Sequence, residues 1–256
     1  MTTLQSDGVR ARASNPQEAD WFEEWFGEDY LRIYQHRDEQ EAEHVIELIA
    51  ANLPGHAVNR VLDLGCGAGR HTKVLVERWW TVGLDLSLAL LRQARRESPE
   101  APYVRADMRE LPFADGSFDL VVNLFTSFGY FDDDREHTRL LSCVRTAMRA
   151  GGTLVIDFLN ASQVRRDLVP YDERVENGIT IEQWRTITPD DRYVEKIIRL
   201  REKEREYIER VRLLSPADLE KMLTTAGFEV VRLFGDYSGD GWSETSPRTI
   251  LFASRR

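Results

Sequence analysis

The residues best able to do chemistry stand together in "VLDLGCGAGRH", Val61 to His71, where Gly65, Gly67 and Gly69 follow an acid at Asp63 and enclose Cys66. A glycine loop that joins a strand to a helix presents backbone N–H groups at the positive end of the helix dipole, a seat for an anionic group. Dinucleotide sites begin the same way, but their glycines are spaced G-x-G-x-x-G. Here the third glycine falls one position early, at Gly69, and Arg70 stands where the helix-packing glycine belongs. Asp63 is a second discriminator: a carboxylate at the strand end, facing the loop, suits a ligand with positive charge and repels a pyrophosphate.

S-adenosylmethionine (SAM) meets both conditions, since it carries a sulfonium and an ammonium, no phosphate, and one carboxylate for the helix N-terminus. The stretch resembles motif I of the class I SAM-dependent methyltransferases, and the residues that follow extend the resemblance across about residues 16 to 256. It implies cofactor contacts from Asp63, Gly65, Cys66, Gly67 and Gly69. Asp85, 20 residues after Gly65 and followed by Leu86, ends the second strand where an acid accepts from ribose hydroxyls. In "RADMRELPF" the resemblance gives Asp107 the adenine amino group and the Met108 backbone the ring; in "FDLVVNLF" it sets Asn123, Leu124 and Phe125 beside the transferred methyl group.

The acceptor side is read from "NLFTSFGYF", Asn123 to Phe131. Leu124 and Phe125 depart from the D/N-P-P-Y/F motif of methyltransferases acting on base nitrogens or protein amides. The loop is more similar to that of the nucleotide-sugar amine N,N-dimethyltransferases, which tend to carry a His near the position of Tyr130. The chemical candidates are Tyr130, as hydrogen-bond partner or base, with Asn123 and His36; Ser127 joins them for binding. In "YLRIYQHR" the resemblance implies that Tyr34 and Arg37 close over the methionine half of SAM, and Tyr30 faces the acceptor. Trp184 and Arg212 are candidate lid residues, and Tyr237, within "GDYSGDGW", a candidate acceptor ligand. His44, His56 and His137 are expected to be solvated, and His71 structural. The aromatic, acidic mouth tilts the acceptor towards an amine.

These residues need a scaffold that brings several strand ends together. From Arg60 the apolar runs "RVLDL", "TVGLDL", "PYVRA", "FDLVVNLF" and "GTLVIDFL" alternate with helical stretches. That pattern predicts an α/β fold with a doubly wound, mostly parallel sheet, and the resemblance makes it the seven-stranded, Rossmann-like methyltransferase sheet. Asn15, Pro16 and Glu18 read as a helix start, and apolar spacing predicts two cap helices before the glycine motif. After Asn160 the rhythm gives way to "GITIEQWRTIT", "RYVEKIIRLR" and "REYIERVRLL", an inserted antiparallel sheet. Ser215 and Pro216 open the next helix and Gly227 ends it. The expected division is a disordered 1–15, a cap over 16–56, a SAM-binding domain over 57–160 and 213–256, and a lid over 161–212.

Composition bounds the partners. The 256 residues carry a formal net charge of -10, against a nucleic-acid partner, and two cysteines, too few for a zinc site or disulfide framework. No apolar run reaches the roughly 18 residues of a membrane span, so the expectation is a cytoplasmic enzyme without a resident metal, acting on a small molecule at nitrogen or oxygen, with the inserted sheet as a dimer contact. Alternatives are N-methylation of a small peptide's N-terminus, an NAD(P)-dependent oxidoreductase, and a non-catalytic SAM-binding protein.

Overall fold

A computed structural model describes residues 20–34, 39–55 and 58–256. The expected disordered 1–15, the helix start at Asn15, Pro16 and Glu18, and the candidates His36, Arg37 and His56 lie outside the described residues.

Among the described residues three helices precede the first strand rather than two: α1 (Trp21–Trp25), α2 (Glu28–Ile33) and α3 (Glu39–Asn52). Gly27 divides the aromatic run between α1 and α2. The α/β rhythm then proceeds as predicted through β1 (Arg60–Leu64), α4 (Arg70–Leu75), β2 (Trp80–Asp85), α5 (Leu88–Glu97), β3 (Tyr103–Arg105), β4 (Phe118–Asn123), α6 (Asp134–Ala147), β5 (Met148–Leu159) and α7 (Ala161–Asp167). After an insertion it closes with α8 (Pro216–Thr225), β10 (Phe228–Phe234) and β11 (Arg248–Arg255). Ser215 and Asp218 form a reciprocal capping box at α8, and Gly227 leaves it at φ +88°.

The large sheet has seven strands in the order β10-β11-β5-β4-β1-β2-β3, parallel except where β11 runs against β5 and β10. Strand order reverses beside β1, so the loops after β1, β2, β3 and β4 open on one crevice, the position where open α/β sheets bind ligands. Core residues cover both faces, with Leu62, Leu64, Val121 and Ile156 in one cluster and Val61, Leu120, Val122 and Val155 in the other. Trp79 packs on the second cluster, whereas Trp80 opens β2 and is 57% exposed.

The insertion is a separate antiparallel sheet of four strands, β6 (Tyr171–Glu176), β7 (Ile179–Ile187), β8 (Tyr193–Leu200) and β9 (Arg205–Arg212), in sequence order. Three of these are the predicted segments; β6 carries four charges in "YDERVE" and has no apolar signature because it is an edge strand. One face of this sheet buries Ile181, Ile198 and Leu200 against Trp25 and Ile33 of the cap. At its margin the buried Asp29 receives Lys203, Arg205 and the Tyr207 hydroxyl. Burial raises the Asp29 pKa, but these partners outweigh it and hold the carboxyl below its ordinary value.

Candidate functional site

A cavity of about 1170 Å³ lies between the two sheets and under the cap. It exceeds the roughly 300–1,000 Å³ of an ordinary small-molecule site, which gives room for two ligands side by side. One half is walled by the loops of the large sheet: Gly65 to Gly69 after β1, Leu86 after β2, Asp107 and Met108 after β3, and Leu124, Phe125, Ser127 and Tyr130 after β4. Tyr30 and Tyr34 of the cap line it as well, in a ring cluster with Trp25 and Phe26.

The glycine loop is more self-contained than its spacing suggests. Gly65 and Cys66 both donate to the Leu84 carbonyl, at 2.8 and 3.0 Å, Gly67 donates to Asp85 Oδ2 at 2.8 Å, and Gly69 to the Cys66 carbonyl at 3.0 Å. These N–H groups turn inward because all three glycines are left-handed, and they are spent before any ligand arrives. The loop's cation, Arg70, is paired with Glu41 at 2.8 Å and lies over the Phe125 ring at 4.6 Å. A diphosphate therefore meets a loop whose Gly65, Cys66, Gly67 and Gly69 N–H groups are already taken within the protein.

Two glycines are required for space. A Cβ at Gly69 would lie 2.9 Å from Ala94 Cβ, so this residue performs the helix packing that sequence spacing placed at position 70. A Cβ at Gly65 would lie 2.9 Å from Ser127 Cβ and 3.5 Å from Met108 Cε, and would fill the cradle between those loops. The carboxylate rim of that cradle is Asp85, whose oxygens accept from Gly67 and from Ser87 at 2.8 Å and keep lone pairs for a hydroxyl. An adenosine fits this cradle.

Other candidates are buried behind the cavity or reach it already engaged. Asp63 is buried behind the loop and accepts from Thr72 Oγ1 at 2.6 Å, tying α4 to β1. Burial, with Asp85 adding to it, pushes its carboxyl up to about 7. Asn123 is also buried, donating to the Leu64 carbonyl at 2.8 Å, so it spaces β4 from β1 rather than opening the methyl-transfer site. Cys66 lines the cavity, but burial holds its thiol far above the ordinary range. Asp107 lines the cavity with its carboxylate gripped by Arg109, at 2.6 Å for the shortest contact. Burial raises its pKa, yet the Arg109 fork holds it below its ordinary value.

Trp184 faces away, against Tyr171 and Arg199. Arg212 pairs with Asp134 at 3.1 Å and lies over Tyr193. Tyr237 is turned from the mouth into the core, donating to Asp157 Oδ2 at 2.8 Å; burial and that carboxylate raise its pKa, which removes it as a base or acceptor ligand. His44 is exposed, but His137 is fully buried, between the rings of Phe128 and Phe131, where solvent had been expected. His71 is buried on the cavity wall, 3.2 Å from Arg70.

Two features carried no sequence signal. Phe125 and Thr126 are consecutive non-glycine residues in the left-handed region, φ 56° and 64°, a costly conformation held from behind. The Asp157 carboxylate accepts from Phe125 N at 3.0 Å, from Arg248 Nε at 2.7 Å and from Tyr237, while its carbonyl accepts from Thr126 N at 2.9 Å. The lone acid in "TLVIDFL" was the available clue. The second is a row on the inserted sheet, Arg185, Lys196 and Glu209, which walls the cavity opposite those loops.

Comparison with known proteins agrees with this geometry. Residues 61–152 match the family described as "Methyltransferase domain". A trans-aconitate 2-methyltransferase of Rhodopseudomonas palustris is 32% identical over 136 residues, 52% of this chain and 49% of that one. The chain thus spans about half the length of that relative. A dTDP-3-amino-3,4,6-trideoxy-alpha-D-glucopyranose N,N-dimethyltransferase of Streptomyces venezuelae is 26% identical over 218 residues, 78% and 87% of the two chains. Among solved structures, a S-adenosylmethionine-dependent methyltransferase from Clostridium acetobutylicum aligns with a TM-score of 0.75 at 19% identity, covering 88% of this chain and 95% of that one.

Proposed function

We propose that this chain, whose residues 61–152 match a methyltransferase domain, is a SAM-dependent methyltransferase acting on a nitrogen or oxygen of a small molecule. The observation that carries the reading is the cradle of Gly65, Ser127 and Met108 rimmed by the Asp85 carboxylate, in a cavity with room for an acceptor beside it. When bound, SAM supplies a methyl group already activated on a sulfonium. The protein's part is alignment and exclusion of water, worth roughly 7–11 kcal/mol when geometry is fixed. Asp85 accepts from ribose hydroxyls, Leu86 and Met108 flank the base, and Tyr34 with the Phe125 loop encloses the methionine half.

Tyr130, in ring contact with Trp21 and Phe26, offers its hydroxyl to the acceptor. In this reading residues 161–212 serve as the acceptor wall and 57–160 with 213–256 as the cofactor domain. Among the described residues no helix is long and apolar enough to cross a membrane, and the proposal places the enzyme in the cytoplasm. Self-association belongs to the proposal too: Tyr171, Trp184, Ile197 and Ile208 form one in-register row on the outer face of the inserted sheet, and equilibrium sedimentation with Trp184→Glu should show a dimer lost.

Calorimetric titration tests the core of the proposal. SAM is expected to bind and NADH not; NADH binding without SAM would return the chain to the oxidoreductases, and SAM binding with no turnover on any acceptor would leave a non-catalytic binder. Asp85→Ala should weaken SAM binding roughly 10–100-fold, the worth of hydrogen bonds to a charged acceptor. Unchanged affinity would overturn the cofactor placement. In the same assay, Tyr130→Phe should lower turnover while leaving SAM affinity intact.

A further inference from the structure

Three consecutive cross-strand rows run along the face that the inserted sheet turns towards the cavity and the cap. Ile187, Val194 and Val211 stand in register, as do Gln183, Ile198 and Tyr207. Between them Arg185 lies directly opposite Lys196, and Lys196 directly opposite Glu209. An ionic row set between two largely apolar ones, with side chains 16–23% exposed, is a poor device for stability, because the cost of removing such charges from water offsets their attraction. All three members of the row wall the cavity.

Each charge is held in a defined way. Arg185 is fixed from behind by Asp172 and Gln183, both at 2.5 Å. Glu209 receives Lys196 at 2.8 Å and, on the same oxygen, Trp25 Nε1 at 3.2 Å. The Lys196 ammonium has three donors, and Glu209 takes one. Glu209 also helps to keep the ammonium charged: burial lowers the Lys196 pKa, but Glu209 and Tyr34 together outweigh burial and the net shift is upward. This part of the wall therefore presents a fixed cation with donors to spare and a second cation beside it, Lys196 paired with Glu209 and Arg185 with Asp172.

We propose that Lys196, steadied by Glu209 and seconded by Arg185, binds an anionic group of the methyl acceptor, a carboxylate or a phosphate. This inference rests on the methyltransferase reading of the same cavity. It revises the tilt towards an amine, because an ammonium brought to this row meets two cations whose carboxylates, Asp172 and Glu209, are already paired with them. Val194 and Val211 of the neighbouring row and the rings of Tyr30 and Tyr34 take the body of the acceptor, so the class is a small molecule with an apolar or ring portion and one anionic end.

The test is calorimetry on the full chain saturated with S-adenosylhomocysteine, using 3-phenylpropanoate, phenyl phosphate and phenethylamine as probes of one body with different ends. At least one anionic probe is expected to bind and the amine not, and the tighter of the two anions identifies the group. Lys196→Met should weaken that anion roughly tenfold or more, Lys196→Arg should restore it to within roughly threefold, and SAM affinity should be unchanged in both. A double variant, Lys196→Met with Glu209→Leu, leaves no orphaned charge and should show the same loss. Preference for the amine, no binding of either anion at roughly 10 mM, or undiminished anion binding in Lys196→Met overturns the inference. Failure of SAM itself to bind the wild-type chain would instead mark failure of the methyltransferase reading.

Discussion

Asp157→Ala is expected to lower the unfolding free energy by about 3–5 kcal/mol, the cost of removing one partner from a buried ion pair. Asp157 is fully buried, and its loss would leave the Arg248 guanidinium without its counter-charge and the Tyr237 hydroxyl without its acceptor. Burial disfavours a charged Arg248, and Asp157 is what keeps its pKa raised. The Phe125 amide would lose its acceptor as well, so the strained pair at Phe125 and Thr126 would relax. Urea unfolding reads the first effect and SAM titration the second. The double variant Asp157→Leu with Arg248→Met should recover most of the stability, since no charge is orphaned, but not the SAM affinity. Full recovery of both would show that the network serves packing alone.

The second large effect is a dependence on acid. Burial pushes His137 down to about 4 from the ordinary 6.5, with Arg212 adding to the shift and Asp134 opposing it at 4.0 Å. Neither ring nitrogen has a hydrogen-bond partner among the described residues. Below pH 6.5 the unfolded chain takes up a proton that the folded chain refuses, so stability falls as pH drops towards 4. The loss from this residue reaches about 3 kcal/mol at pH 4, at 1.36 kcal/mol per pH unit. Asp63 works in the opposite sense, since its raised pKa makes stability fall as pH rises from the unfolded value towards 7. The informative quantity is therefore the difference between wild type and His137→Leu. Urea unfolding at pH 7.5 and pH 4.5 should show a shallower acid loss in the variant; parallel curves would remove His137 from the account.

The large sheet was legible because strands buried on both faces read as continuous apolar runs, and because glycines and capping residues punctuate them. The inserted sheet was legible only where a strand has a buried face, which is why β6 was missed. Within the site, the glycines, Asp85, Met108 and the loop from Leu124 to Tyr130 reach the cavity, since each follows directly on a strand end. Asp63, Asn123 and Tyr237 were misplaced for a common reason: a polar residue near a motif looks available in sequence, but buried polar groups must find partners, and each found one within the core. His137 is the converse, a residue read as solvated from its charged neighbours whose helical phase turns it inward. Lys196 and Glu209 were hidden among the alternating charges of β8 and β9, which look like ordinary solvent-facing residues until the cap covers them.

The two-sheet construction of the cavity has a consequence for how such a protein can change. The seven-stranded sheet and the four-stranded sheet share no backbone ladder, and the chain leaves one after α7 and returns to it before α8. Substitutions along β7, β8 and β9 can redraw one wall without shifting the register that sets Gly65, Asp85 and Phe125. In the methyltransferase reading, the cofactor cradle and the variable acceptor wall thus stand on separate frameworks, and that wall can be recut while the cradle keeps its frame.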